Sequence, residues 1–197
     1  TKEIGIKPTP AIGGVGLIKN YEKMITMDFK EENNLVIVIG KTEGHIDQSL
    51  FARIILDEKN GPPPEVNLFN EKNNGESLLN LIEKDYIKSA HDVSLGGILT
   101  AVSKMCIKGN KGIKFENSKR LMNDIEYFFA EDQGRYIVEI RQKDFKEVSK
   151  ILDKNSVHHE KLGIIVNNDI IINEKTKVTI DELKTCNSNW LINYMSS

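Results

Sequence analysis

Apolar residues fall into short β-branched runs separated by helix-length stretches whose apolar positions recur three or four apart, the signature of strands interleaved with helices. Leu35-Val36-Ile37-Val38-Ile39, ended by Gly40, is too short for a helix and reads as a buried strand. Ile46, Leu50, Phe51, Ile54 and Ile55 predict a helix over 46–56 with one apolar face. Pro62-Pro63-Pro64 stops any regular element. A helix beginning near Leu68 ends with Glu76 to Lys84, and a strand over 87–92 enters a turn. Ile98, Ala101, Val102 and Met105 place a helix over 97–107. A short strand over 113–115 and an apolar helix or turn over 122–129 come next.

The remaining third predicts a strand over 135–140, an amphipathic helix over 145–152, and strands over 162–166, 170–172 and 177–179. Asn167-Asn168-Asp169 reads as the hairpin turn joining the first two of those three strands. A last helix starts at Asp181-Glu182 and runs toward Trp190, while the first thirty or so residues form an extended, irregular opening segment. The order implies an α/β or α+β class with a mixed sheet, not a strict Rossmann alternation. No repeat or low-complexity linker divides the 197 residues, so one domain is expected, burying roughly 70% of its unfolded surface.

Composition narrows the partners. A net charge of −2 and the absence of a dense basic stripe argue against nucleic acid, with Lys104, Lys108, Lys111 and Lys114 read as solvated surface. No apolar run reaches the ~18 residues of a membrane span and no signal pattern opens the chain, which points to a cytoplasmic protein without a membrane partner. Cys106 and Cys186 lack metal-ligand spacing, so two buried free thiols are expected, not a zinc site. The chain opens on Thr1, which fits a piece of a longer protein.

Candidate chemistry sits in three strings. Pro8-Thr9-Pro10-Ala11-Ile12-Gly13-Gly14-Val15-Gly16 lacks the full dinucleotide fingerprint and its strand-turn-helix setting, so a bulged strand packed close to another backbone is favoured over a phosphate loop. In Ser89-Ala90-His91-Asp92-Val93-Ser94-Leu95-Gly96-Gly97, Asp92 or Ser94 is placed to cap the next helix, and the free N–H groups at that helix start also suit a phosphate. Ala130-Glu131-Asp132-Gln133-Gly134-Arg135 either binds a ligand or satisfies itself as a turn network; the residues leave both open. His158-His159-Glu160 does not make a metal site, because neighbours on a strand point to opposite faces.

Taken in order, these strings resemble the C-terminal part of the phosphoribosylformylglycinamidine synthase family, the large synthetase subunit of purine biosynthesis. The resemblance runs nearly end to end, through Leu35 to Gly40, Gly61 to Leu68, Phe129 to Val138, Lys161-Leu162-Gly163-Ile164-Ile165 and the late Trp190. Aminoimidazole ribotide synthetase, selenophosphate synthetase, thiamine-phosphate kinase and a hydrogenase-maturation protein are wider relatives with other residues at the turn before the glycines.

The resemblance implies a three-layer α/β/α domain of the AIR synthase C-terminal type, with a mixed sheet that is partly ferredoxin-like. In the full synthetase, formylglycinamide ribonucleotide, ATP and glutamine-derived ammonia give formylglycinamidine ribonucleotide, ADP and phosphate. ATP and Mg2+ would serve that enzyme, with neither held tightly by this domain and with the catalytic histidine and most ligands in segments absent here. No catalytic residue and no metal ligand are therefore expected in this chain, and the domain alone is expected to be inactive. The implied partners are the remaining synthetase domains and an amidotransferase subunit or domain; an isolated domain would expose a former interface and could pair artificially.

The candidate substrate- or nucleotide-binding residues are His91, Asp92, Ser94, Gly96, Gly97, Glu131, Asp132, Gln133 and Arg135. Glu131, Asp132 and Gln133 match a Glu-Ser-Gln turn that contacts substrate in the family's first half. Asp132 departs from the serine and would repel an anionic phosphate. Leu95, where an acid is common, and His45-Ile46-Asp47-Gln48-Ser49, where a Gly-Gly-Ser-type loop is usual, depart too. These departures imply an auxiliary or structural site.

Overall fold

The computed structural model describes residues 10–116, 122–174 and 176–196; Pro8 and Thr9 of the first string lie outside them. In chain order the elements are β1 (Leu35–Ile39), α1 (Leu50–Ile54), α2 (Leu68–Glu83), β2 (Ile87–Val93), α3 (Gly97–Gly109), β3 (Gly112–Phe115) and α4 (Asp124–Phe129). They continue with β4 (Arg135–Ile140), α5 (Phe145–Lys154), β5 (His159–Val166), β6 (Asp169–Ile172), β7 (Thr176–Thr179) and α6 (Ile180–Ser196). One sheet carries the strands in the order β2-β4-β1-β5-β3-β6-β7. Every pairing is antiparallel except that of β3 with β6.

All five residues of β1 are buried, because the strand is central and covered on both faces. Val36 and Val38 turn toward Ile98, Val102 and Met105 of α3 and Tyr127 and Phe128 of α4. Leu35, Ile37 and Ile39 turn the other way, against Leu78 and Leu81 of α2 and Val148 and Leu152 of α5. The molecule thus has three layers. Within them, β1-α2-β2 and β4-α5-β5 make a βαββαβ unit with strand order β2-β4-β1-β5, the ferredoxin-like arrangement. The segment α3-β3-α4 is inserted between β2 and β4.

Most predicted elements are present, and three of the helices carry side-chain caps. Ser49, Asn67 and Asn123 accept from the N–H groups of Ala52, Asn70 and Glu126 at 3.1, 3.0 and 2.9 Å. Four expectations are corrected. The helix predicted over 46–56 shrinks to α1, because Gln48 takes a positive φ of 61° and Ser49 caps a helix that begins only at Leu50. Ile54 and Ile55 consequently lie exposed, not on a core face. Asn167-Asn168-Asp169 does not close a hairpin: β3 lies between β5 and β6 and pairs with both. The described part of the first glycine string is exposed coil, and among the described residues nothing beyond the chain neighbours lies within 4 Å of where a Cβ at Gly13, Gly14 or Gly16 would sit.

The fourth correction concerns the thiols. Cys106 is buried in the α3 layer, as expected, but Cys186 is exposed on α6. Helix α6 has only Ile180 buried, which leaves its later turns uncovered.

A carboxylate holds one edge of this core. Glu139 on β4 is fully buried and accepts from Lys30 N (2.8 Å), Glu31 N (3.0 Å), Asn34 Nδ2 (2.7 Å) and Ser89 Oγ (2.9 Å). It fastens the turn before β1 to β2. Glu139→Ala should lower urea-unfolding stability by about 3 kcal/mol, since buried donors lose their acceptor together; a loss under about 1 kcal/mol would contradict this role.

Burial pushes the Cys106 thiol from its ordinary 9.0 up to about 12. The folded state therefore keeps a proton that the unfolded chain releases, and stability is lost as pH climbs from 9.0 toward 12. At pH 8 a thiol reagent should titrate Cys186 alone in the native protein and both cysteines after denaturation. Equal native reactivity of the two would contradict the assigned burial.

Candidate functional site

The turn between α4 and β4 is built around a buried guanidinium. Arg135 is 1% exposed, so its charge must be met from within. Its Nη2 donates to Ala130 O (2.7 Å), Nε to Asp132 O (3.1 Å) and Nη1 to Thr42 Oγ1 (3.0 Å). Burial lowers its pKa, and the Asp132 carboxylate 3.8 Å away opposes that shift.

With those carbonyls turned inward, the turn's carboxylates reach outward to other loops. Asp132, also buried, accepts from the consecutive N–H groups of Glu43 (2.9 Å), Gly44 (3.1 Å) and His45 (3.1 Å). Glu131 Oε1 accepts from Leu50 N and Gly96 N, both at 2.8 Å. The turn therefore pins the loop after β1, the start of α1 and the start of α3.

This joint brings the second and third strings together. Gly97 has a φ of +69°, and a Cβ there would lie 2.6 Å from Phe128 O and 2.7 Å from Ala130 O, so the two segments meet only over glycine. Helix capping is corrected: Gly96 occupies the N-cap with no side-chain bond, and its N–H goes to Glu131, not to Asp92 or Ser94. Among the described residues Ser94 Oγ accepts from Leu95 N (2.6 Å), and Gly97 N donates to Ser94 O (3.0 Å). The Gly96 and Gly97 amides that would have met a phosphate are already engaged.

His91 and Asp92 lie apart from this joint on β2. Nδ1 of His91 is 3.0 Å from Asp92 Oδ1, and its buried Nε2 has no hydrogen-bond partner among the described residues. Asp92 sits on the α2 face, where burial chiefly, then the charges of Glu71 and Asp92, raise the pKa of Tyr136.

Asp132 and Gln133 border a cleft of about 420 Å³ between the loop after β1 and the first turns of α2. Its other walls include Lys41, Glu43, His45, Glu65 and the stripe Asn67, Asn70, Glu71 and Asn74. The i, i+3, i+4, i+7 spacing of that stripe was readable, but a polar helix face alone signals solvent. The charge balance is unfavourable for an anion: Lys41 already pairs with Glu43 at 2.8 Å, while Glu65 and Glu71 add negative charge. Among the described residues no group of three or more His, Cys, Asp or Glu is placed to hold a metal ion. No helix there is long and apolar enough to cross a membrane.

The family model described as AIR synthase related protein, C-terminal domain, matches residues 31–173. This chain belongs to that family. Phosphoribosylformylglycinamidine synthase subunit PurL of Pelagibacter ubique is 65% identical over 197 residues, covering all of this chain and 27% of the relative. This chain thus spans little more than a quarter of that relative's length. A solved T. maritima PurL complexed with FGAR superposes with a TM-score of 0.68 at 18% identity, covering 83% of this chain and 30% of that one. E. coli HypE, a hydrogenase maturation protein, does so with a TM-score of 0.58 at 14% identity, over 79% of this chain and 52% of that one. At those identities the likeness establishes the fold, which is the three-layer architecture that the family resemblance implied.

Removing the Asp132 carboxylate should free the loop after β1. Asp132→Ala is expected to lower stability by about 2–4 kcal/mol and to speed amide exchange at Glu43, Gly44 and His45 about tenfold or more. Unchanged exchange at those amides would show that the loop is held by something else.

Proposed function

We propose that this chain is the C-terminal-type domain of the large subunit of a cytoplasmic phosphoribosylformylglycinamidine synthase, acting as one domain of a longer polypeptide. The 65% identity to the P. ubique subunit over the whole of this chain carries the reading. In the parent enzyme, ATP would phosphorylate the amide oxygen of formylglycinamide ribonucleotide, and ammonia from an amidotransferase partner would displace it. ATP and magnesium would be held by other segments.

This domain's part would be to frame the reaction, not to perform it. Of the candidate residues, Glu131, Asp132, Arg135 and the Gly96 and Gly97 amides already bond within the fold. Gln133, at the edge of the cleft, keeps a wall role open. The acidic lining favours a structural wall over an independent nucleotide- or anion-binding module.

A replacement experiment tests this. Put in place of the corresponding segment of P. ubique PurL, the chain should preserve ADP release that depends on formylglycinamide ribonucleotide and ammonia; the 197-residue chain alone should show none. Turnover by the chain alone, or a dead but fully assembled replacement enzyme, would contradict the assignment.

A further inference from the structure

On the α2/α5 side of the sheet a serine and a histidine meet in a geometry that the proposed synthase role does not use. Ser149 on α5 places Oγ 2.6 Å from Nε2 of His159, the first residue of β5. The other ring nitrogen, Nδ1, lies 3.1 Å from the carbonyl oxygen of Val157. A carbonyl only accepts, so Nδ1 carries the proton; in the neutral ring Nε2 is then bare and accepts from the serine hydroxyl. A nucleophile bonded to a base that a third group orients is the arrangement that activates serine. The imidazole is 9% exposed, which shields it from competition by water.

Ser149 also lies on an open, shallow face of α5 shared with Phe145, Lys146, Lys150 and Asp153. The two lysines flank the serine and outnumber the single carboxylate, so this face suits a reagent with an anionic leaving group. Ser149 lies beyond the first turn of α5, where backbone N–H groups are bonded within the helix and offer no oxyanion hole.

We propose that Ser149 is an acyl-acceptor site for acyl phosphates, with His159 as its general base. Oγ attacks the carbonyl carbon and forms an ester as the carbon–oxygen bond to phosphate breaks. The serine proton passes to Nε2 of His159 and leaves with the departing phosphate. Lys146 and Lys150 meet the phosphate charge.

The test uses the 197-residue chain with acetyl phosphate, and peptide mass spectrometry to locate the acetyl group. Ser149 should be acetylated about a hundredfold faster than other serines. Ser149→Ala should abolish that label, and His159→Gln should slow it about a hundredfold at an unchanged melting temperature. Lys146→Gln with Lys150→Gln should slow the reaction with acetyl phosphate but not with p-nitrophenyl acetate, whose leaving group lacks phosphate. Label confined to lysines and unaffected by Ser149→Ala would overturn the proposal. So would equal Ser149 labelling in a folded His159→Gln protein.

Discussion

A permanent positive charge sealed from solvent organises this molecule. Arg135 cannot lose its proton at any physiological pH, so burying it obliges the chain to supply acceptors on fixed sides of a planar group. The chain does so with its own turn, bending the carbonyls of Ala130 and Asp132 inward. That bend decides where the neighbouring side chains go. Glu131 and Asp132 are thrown outward toward unpaired backbone amides, and each gathers a loop that has no strand partner of its own. Remove the guanidinium, and neither the turn nor the loops around it has a reason to keep its shape.

The same logic separates fold from chemistry. Carboxylates bonded to several backbone amides have few lone pairs left for a substrate or a metal, because those are already engaged. Glu131, Asp132 and Glu139 all fit that description, and together they fasten loops from both ends of the sheet. The three-layer architecture that this chain shares with T. maritima PurL and E. coli HypE therefore says little about reaction type by itself. What distinguishes this copy is which polar groups remain available at its surface, and the cleft beside Gln133 retains amides and acids, with its Lys41 already paired to Glu43.

Much of the layer structure was legible, because periodicity reports burial directly: β1, α2, α3 and α5 all follow their apolar spacing. Two of the errors share one cause, in that local spacing is blind to long-range partners. Asn167-Asn168-Asp169 has hairpin residues, yet β3, some fifty residues earlier, inserts between the strands it joins. Asp92 and Ser94 are good capping residues, yet Glu131 reaches the Gly96 amide first. The cleft was invisible for the same reason. Its walls come from three segments, none of which carries a signal beyond ordinary surface polarity.

The bond between Gly96 and Glu131 also explains how the ferredoxin-like unit tolerates its insertion. In that unit β2 and β4 are neighbours, yet α3, β3 and α4 intervene between them. An excursion of this length is entropically cheap, since closure cost grows only with the logarithm of loop length. The harder requirement is that its two ends return to one place in a fixed register. The Gly96–Glu131 bond spans 35 positions and closes the excursion at its base, where Gly97 lets the backbones touch. The second glycine string and the acidic turn are thus two halves of a single closure, which is why each looked incomplete when read alone.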